Sequence, residues 1–215
     1  MFQVISNCSI KAFHFNGLCI GVHPKVYEPA EDTFQLLEAI KIKQGETVLE
    51  IGTGCGIIAL ECARQGSDVI STDLNLHAVN LARRNVERNS HMLKGNVEVR
   101  SGDIFSALQN DERFDVVIFN PPYLPTRPHE RIGKNGWFDL AIDGGVDGLA
   151  ITERFIEKLP KVLLKNGRAY FVFSSLSDRV KLTAYLNDNR LESEILLSRR
   201  FDDELIDIYC VHFYK

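Results

Sequence analysis

The chain has 215 residues, 45% hydrophobic and 25% charged, an ordinary globular composition with enough apolar material for one domain over residues 1–215 and one core. A net charge of −4 gives no electrostatic reason to expect strong nucleic-acid binding, and no run approaches the roughly 20 apolar residues of a membrane span. Met1 to Ile10 lack the basic start and apolar block of a signal peptide, and the five scattered cysteines (Cys8, Cys19, Cys55, Cys62, Cys210) contain no Cys-x-x-Cys pair, which disfavours a structural metal site or disulfide framework and fits free thiols in the cytoplasm.

Residues 1–25 are short apolar pieces broken at Asn16-Gly17, expected as a small hairpin or lid. Val26-Tyr27-Glu28-Pro29-Ala30-Glu31-Asp32-Thr33 leads into Phe34, Leu36, Leu37 and Ile40 at helical spacing, so the segment reads as a loop entering an amphipathic helix. The acids at the helix start have an ordinary capping explanation and an equally open ligand role. Thr47 to Ile51 is a short strand, and Gly52-Thr53-Gly54-Cys55-Gly56 turns straight into the apolar helix from Ile57 to Ala63. Strand, glycine turn and helix are the context in which glycines let a backbone lie against a ligand with no Cβ between. The Gly-x-Gly-x-Gly spacing is one residue tighter than the dinucleotide fingerprint, and the preceding Glu50 would repel a phosphate but could receive an ammonium group.

Asp68 to Asp73 is a second strand, and its terminal Asp73, 21 residues after Gly52, stands where a carboxylate can accept ribose hydroxyls. Ala78 to Val86 continue as a helix, and Asn96 to Arg100 form a third strand ending in Gly102-Asp103-Ile104. There an acid and a backbone N–H can grip an adenine edge, although a strand-ending turn explains Asp103 nearly as well. Phe114 to Phe119 is an apolar run of the kind buried on both faces of a parallel sheet. It stops at Asn120-Pro121-Pro122-Tyr123, because two prolines have no N–H to give a sheet ladder. Asn120 offers a neutral acceptor, Pro121 a rigid carbonyl and Tyr123 a flat ring, a set suited to a planar group carrying an NH2.

Leu124 to Gly148, rich in glycine and proline with Trp137 in its middle, is expected as a long loop acting as a lid. A helix over Leu149 to Leu164, a strand over Gly167 to Ser174 and a helix over Val180 to Leu186 follow. Two apolar runs, Glu194 to Phe201 and Leu205 to Phe213, read as a terminal hairpin. The βα units predict a parallel sheet with right-handed crossovers.

These pieces resemble class I S-adenosylmethionine-dependent methyltransferases. The likeness rests on Glu50-x-Gly52-x-Gly54-x-Gly56, Asp73, Asp103 and Asn120-Pro121-Pro122-Tyr123. It implies an α/β, Rossmann-like seven-stranded sheet with an antiparallel last strand and helices on both faces. Val26 to Thr33, taken with Gly144-Gly145-x-x-Gly148, is similar to the HemK-like group, which methylates the side-chain amide nitrogen of the glutamine in the Gly-Gly-Gln motif of translation release factors. With only residues 1–25 ahead of that segment, the short eukaryotic and archaeal branch is the expected one. The resemblance implies S-adenosyl-L-methionine as cofactor. Tyr27, Thr33, Glu50, Gly52, Gly54, Asp73, Asp103, Ile104 and Asn120 would bind it, with Thr33 and Gly52 at its methionine end. Asn120, Pro121 and Tyr123 would serve catalysis, with no metal. It further implies a small zinc-binding activator subunit docked by β-augmentation at the third strand.

Two other readings compete. Asn-Pro-Pro-Tyr also serves N6-adenine and other exocyclic amines of RNA or DNA, but such an enzyme wants a basic groove or a domain to hold a flipped base. Against 25 Lys and Arg stand 29 Asp and Glu, and Arg127, Arg131 and Lys134 form a small basic cluster that could touch RNA, with a solvated loop face as the default reading. A binding module that kept the fold but lost activity would have no need of Glu50, Asp73, Asp103 and Asn120 together.

Overall fold

The computed structural model describes residues 11–126 and 136–214. Backbone contacts divide the chain into two compact units, one running to Pro29 and resuming over Ile42–Leu108, the other made of Ala30–Lys41 and the residues from Gln109 onward.

The first unit opens with the hairpin of β1 (Ala12–Phe15) and β2 (Leu18–Gly21). Its turn is the Asn16-Gly17 pair, with φ of 48° and 87°, the left-handed conformation of both residues that a two-residue hairpin needs. Residues 1–10 of the expected N-terminal segment lie outside the described residues. Next come β3 (Thr47–Ile51), α2 (Ile57–Gln65), β4 (Asp68–Asp73), α3 (Leu76–Asn89) and β5 (Val97–Ser101). The three strands pair in parallel in the order β5-β4-β3, with Thr47 opposite Asp68 and Val69 opposite Val97. Helix α3 is longer at both ends than its sequence periodicity suggests, because Asn75 caps its start by accepting from the His77 N–H (2.9 Å). At its other end Asn85 and Asn89 bind the hairpin. Asn89 accepts from Cys19 N (2.7 Å) and donates to Cys19 O (2.9 Å), while Asn85 does the same for Gly21, both at 2.9 Å. One helical turn rises about 5.4 Å and two strand residues about 6.6 Å, so asparagines four apart meet alternate residues of β2.

The second unit holds α1 (Glu31–Ala39), β6 (Phe114–Phe119), α4 (Trp137–Ile142), α5 (Ala150–Lys158), β7 (Leu163–Ser174), α6 (Arg179–Asp188), β8 (Leu191–Phe201) and β9 (Glu204–Phe213). Its strands run β6-β7-β9-β8, with β6 parallel to β7 and β9 antiparallel to both neighbours. The core is a chain of rings: Phe119 to Phe155 (5.2 Å between centroids), Phe155 to Phe171 (6.0 Å) and Phe171 to Tyr209 (5.2 Å). The seven strands and the antiparallel β9 are those of the expected class. Among the described residues no helix is long and apolar enough to cross a membrane.

Two expectations are corrected. The stretch from 124 to 148 is not wholly irregular, since Trp137–Ile142 forms α4 after Gly136, whose φ of 46° turns the chain into the helix. Residues 127–135, including Arg127, Arg131 and Lys134, lie outside the described residues. The helix expected over Leu149 to Leu164 ends as α5 at Lys158, followed by a short 3-10 turn at Leu159–Lys161, where Pro160 has no N–H for a longer helix. β7 then begins at Leu163, before Gly167.

Candidate active site

The residues singled out from sequence fall into two clusters, one in each unit. In the first unit they gather at the C-terminal ends of β3, β4 and β5. Gly52, Gly54 and Gly56 have φ of 69°, 56° and 84°, so all three glycines of the motif occupy backbone that L side chains rarely adopt. A Cβ on Gly56 would stand 3.2 Å from that of Ala82, which explains this glycine by packing against α3. Gly52 is exposed. The Tyr27 carbonyl lies 3.9 Å from where a Cβ on Gly54 would be.

Asp73, at the end of β4, receives Gly54 N on one carboxylate oxygen (2.9 Å) and Asn75 N on the other (2.8 Å). The Leu74 N–H also reaches this carboxyl, and burial holds it above its usual range despite these bonds. The same residue ties down the glycine turn and stands where a ribose hydroxyl could be accepted. Asn75 in turn donates to the Lys25 carbonyl (2.7 Å), fixing the chain that carries Tyr27.

Glu50 is buried in β3 and its carboxyl accepts from Thr53 Oγ1 (2.6 Å) and from the Ala59 N–H in the first turn of α2. Burial outweighs those bonds and pushes its pKa up to about 8. A cationic group brought beside it would reverse the desolvation cost. Asp103 and Ile104 follow β5. The Asp103 N–H donates to Ser106 Oγ (2.7 Å). The turn around Ser106 supplies the reason, since the Ser106 N–H answers to the Asp103 carbonyl (2.9 Å). Ile104 is buried with φ of 52°, a costly conformation for a β-branched residue, and its carbonyl accepts from Thr72 Oγ1 (3.3 Å). No spacing rule in the sequence announces that strain.

These features fit the adenosyl and aminoacyl parts of S-adenosylmethionine: a glycine turn without side chains, a carboxylate for the ribose and a buried acid for the amino group. The cofactor would supply an activated methyl on a sulfonium.

In the second unit β6 ends at Asn120, and the Asn120 amide, the Tyr123 hydroxyl and Thr33 converge on one carboxylate, that of Asp32. Asn120 Nδ2 donates to Asp32 Oδ2 (2.9 Å) and Tyr123 OH donates to the same oxygen (3.2 Å). Thr33 donates to Asp32 Oδ1 from its N–H (2.6 Å) and its hydroxyl (3.2 Å). Thr33 Oγ1 also stands 3.5 Å from Asn120 Nδ2, so this residue, expected at the methionine end of the cofactor, lies beside the Asn120 motif. Asn120 Oδ1 is buried and has no hydrogen-bond partner among the described residues. Pro121 is buried at the turn. The Tyr123 carbonyl accepts from Ser177 Oγ (3.0 Å), and a Cβ on Gly148 would fall 2.5 Å from that carbonyl oxygen. The Gly144-Gly145-x-x-Gly148 segment is thus the close-packed brace of the turn after β6. The sequence left Asp32 open between helix capping and a ligand role; its bonds to Asn120 and Tyr123 add a part that neither reading named.

Residues 30–134 match a model of the methyltransferase small domain. A Methanocaldococcus jannaschii protein, provisionally named as a protein N5-glutamine methyltransferase, is 40% identical over 75% of this chain and 78% of its own length. Human methyltransferase HEMK2 is 29% identical over 87% of this chain and 90% of its own. The release factor glutamine methyltransferase of Streptococcus pneumoniae is 32% identical, and the match spans 57% of its length. Among solved structures, that of the E. cuniculi Mtq2–Trm112 complex, which methylates the termination factor eRF1, superposes with a TM-score of 0.67. It is 26% identical over 88% of this chain and 99% of that one.

Proposed function

Because the chain belongs to the HemK-like group of S-adenosylmethionine-dependent methyltransferases, we propose that it methylates the side-chain amide nitrogen of the glutamine in the Gly-Gly-Gln motif of a class I release factor. The observation that carries this reading is Asn120 Oδ1, a buried acceptor without a partner among the described residues, at the end of a strand and beside Tyr123. Such an acceptor costs about 1–3 kcal/mol unless a donor arrives. An amide NH2 is a donor of the right shape.

Amide nitrogen is a poor nucleophile because its lone pair is delocalised into the carbonyl. Asn120 Oδ1 and the Pro121 carbonyl would each accept one N–H of the substrate. That raises electron density at nitrogen and favours its pyramidal form, while the Tyr123 ring packs on the amide face. Positioning and fixed dipoles then supply much of the barrier reduction, and the nitrogen loses a proton after methylation, so no strong base is required beforehand. Tyr27, Glu50, Gly52, Gly54, Asp73, Asp103 and Ile104 would hold the cofactor. Thr33, beside Asn120, and Asn120 itself would meet the methionine end of the cofactor next to the acceptor amide.

The Mtq2–Trm112 pairing supports a small activator subunit for this chain too, and we propose that it binds zinc and docks on β5. A release-factor substrate implies a cytoplasmic enzyme. The test is methyl transfer from labelled cofactor to a release factor, to its Gln→Ala variant and to RNA. Label on the intact factor alone supports the reading; label on RNA alone overturns it.

A further inference from the structure

Resting on that reading of the Asn120 site, we propose that Asp32 is a positioning residue that sets the site's polarity. By taking one amide hydrogen of Asn120 and the hydroxyl hydrogen of Tyr123, it turns the Asn120 oxygen toward substrate and leaves Tyr123 no donor, so the site selects a glutamine amide over a glutamate carboxylate of the same shape.

Asp32 is 5% exposed, yet its carboxylate is satisfied on both oxygens. Thr33 N and Oγ1 fill Oδ1, and Asn120 Nδ2 and Tyr123 OH fill Oδ2. Its place in the first turn of α1 adds the positive end of a helix dipole. A carboxylate has nothing to donate. Turning the Asn120 amide over would set Oδ1 against Asp32 Oδ2 in place of the 2.9 Å hydrogen bond, acceptor against acceptor. The orientation with Oδ1 unpartnered is therefore fixed by chemistry. Tyr123 has one hydroxyl hydrogen, and it too goes to Asp32. An incoming amide nitrogen brings two hydrogens to acceptors, whereas a carboxylate would bring two more acceptors. A site built around buried hydrogen bonds rejects the analogue that cannot make them.

The decisive variant is Asp32→Asn, which keeps shape and volume. Thr33 N, at 2.6 Å, requires an oxygen at the Oδ1 position, so the new NH2 falls at Oδ2, facing Asn120. Asn120 must then turn its oxygen inward and its NH2 toward substrate. Three measurements follow, with a release factor and its Gly-Gly-Gln Gln→Glu variant as probes. Turnover on the glutamine factor falls about 100-fold while S-adenosylmethionine affinity is unchanged, the size expected for one misdirected preorganised contact. Preference in binding for the glutamine factor over the glutamate one shrinks about tenfold or inverts. In an Asn120→Ala background the same change costs nothing more, since both act through one group. Wild-type turnover, an unchanged preference or full additivity overturns the proposal. A readout independent of folding in the variant and of the substrate is the Asn120 side-chain NH2 of the wild-type chain. Slow solvent exchange by NMR supports its bond to Asp32, and exchange as fast as in exposed asparagines refutes it. Should the wild-type chain leave the release factor unmethylated while that NH2 is protected, the substrate reading fails and the Asp32 orientation stands.

Discussion

At the scale of single residues, Asn120 and Glu50 are both uncharged, one as an amide and the other as an acid kept protonated by burial. Asn120 is neutral and presents an acceptor, so Asn120→Ala removes a contact made in the transition state. Turnover should fall by on the order of 10²-fold with cofactor affinity nearly intact, and steady-state kinetics beside calorimetric titration separate the two. Glu50 is an acid held neutral by burial, from an ordinary 4.5 up to about 8. Across that interval the folded chain keeps a proton that the unfolded chain has released. Stability from this group is therefore whole below 4.5, declines as pH rises and levels off above 8. Denaturant midpoints measured from pH 5 to 8 should fall in the wild type and fall less steeply in Glu50→Gln, which is neutral throughout. Equal slopes in the two would show that Glu50 is ionised in the folded state.

At the scale of elements, α3 takes the part of a neighbouring strand for β2. Asn85 and Asn89 each pair both backbone groups of one β2 residue, and Asn85 also donates to the Cys55 carbonyl in the glycine turn (2.8 Å). Asn85→Ala leaves Gly21 N, Gly21 O and Cys55 O without that partner in a buried place. Stability should drop by about 1–3 kcal/mol in chemical denaturation, at the upper end because several groups lose one partner together. A loss below about 0.5 kcal/mol, the ordinary range for surface substitutions, would mean that water replaces the amide. The turn after β6 shows the same economy: Ser177 and Gly148 fix the Tyr123 carbonyl, while Asp32 fixes its hydroxyl.

At the scale of the whole molecule the question is what meets the outer side of β5. Val69 N takes the Asn96 carbonyl, so the groups of Val97 and Val99 point away from β4. Arg83 already donates to the Val99 carbonyl at 2.7 Å, and Arg100 pairs with Glu98 at 2.7 Å, which blunts the edge against indiscriminate pairing. The Val97 N–H is the group an added strand would use. Val97→Pro removes it and should lower affinity for an activator subunit more than affinity for the cofactor, read by size-exclusion chromatography of the mixture at micromolar concentration. An unchanged heterodimer peak would move the proposed interface elsewhere.

The sequence by itself determined the strands, the Asn16-Gly17 hairpin, the glycine turn with Glu50 and Asp73, and the stop at Pro121-Pro122. Each is a local matter: hydrophobic period, φ above zero at glycine, or a missing N–H. It could not determine α4, because the glycines around Trp137–Ile142 outweigh six helix-compatible residues in any short window. Nor could it separate capping from function at Asp32, since both need the same acid in the first turn of a helix. That was decided by tertiary structure, which brings residues 32, 120 and 123 together across some ninety positions of chain. Which atoms of Asn120 and Tyr123 are left for a substrate depends on the hydrogen bonds that such a meeting consumes, and no spacing in the sequence records them.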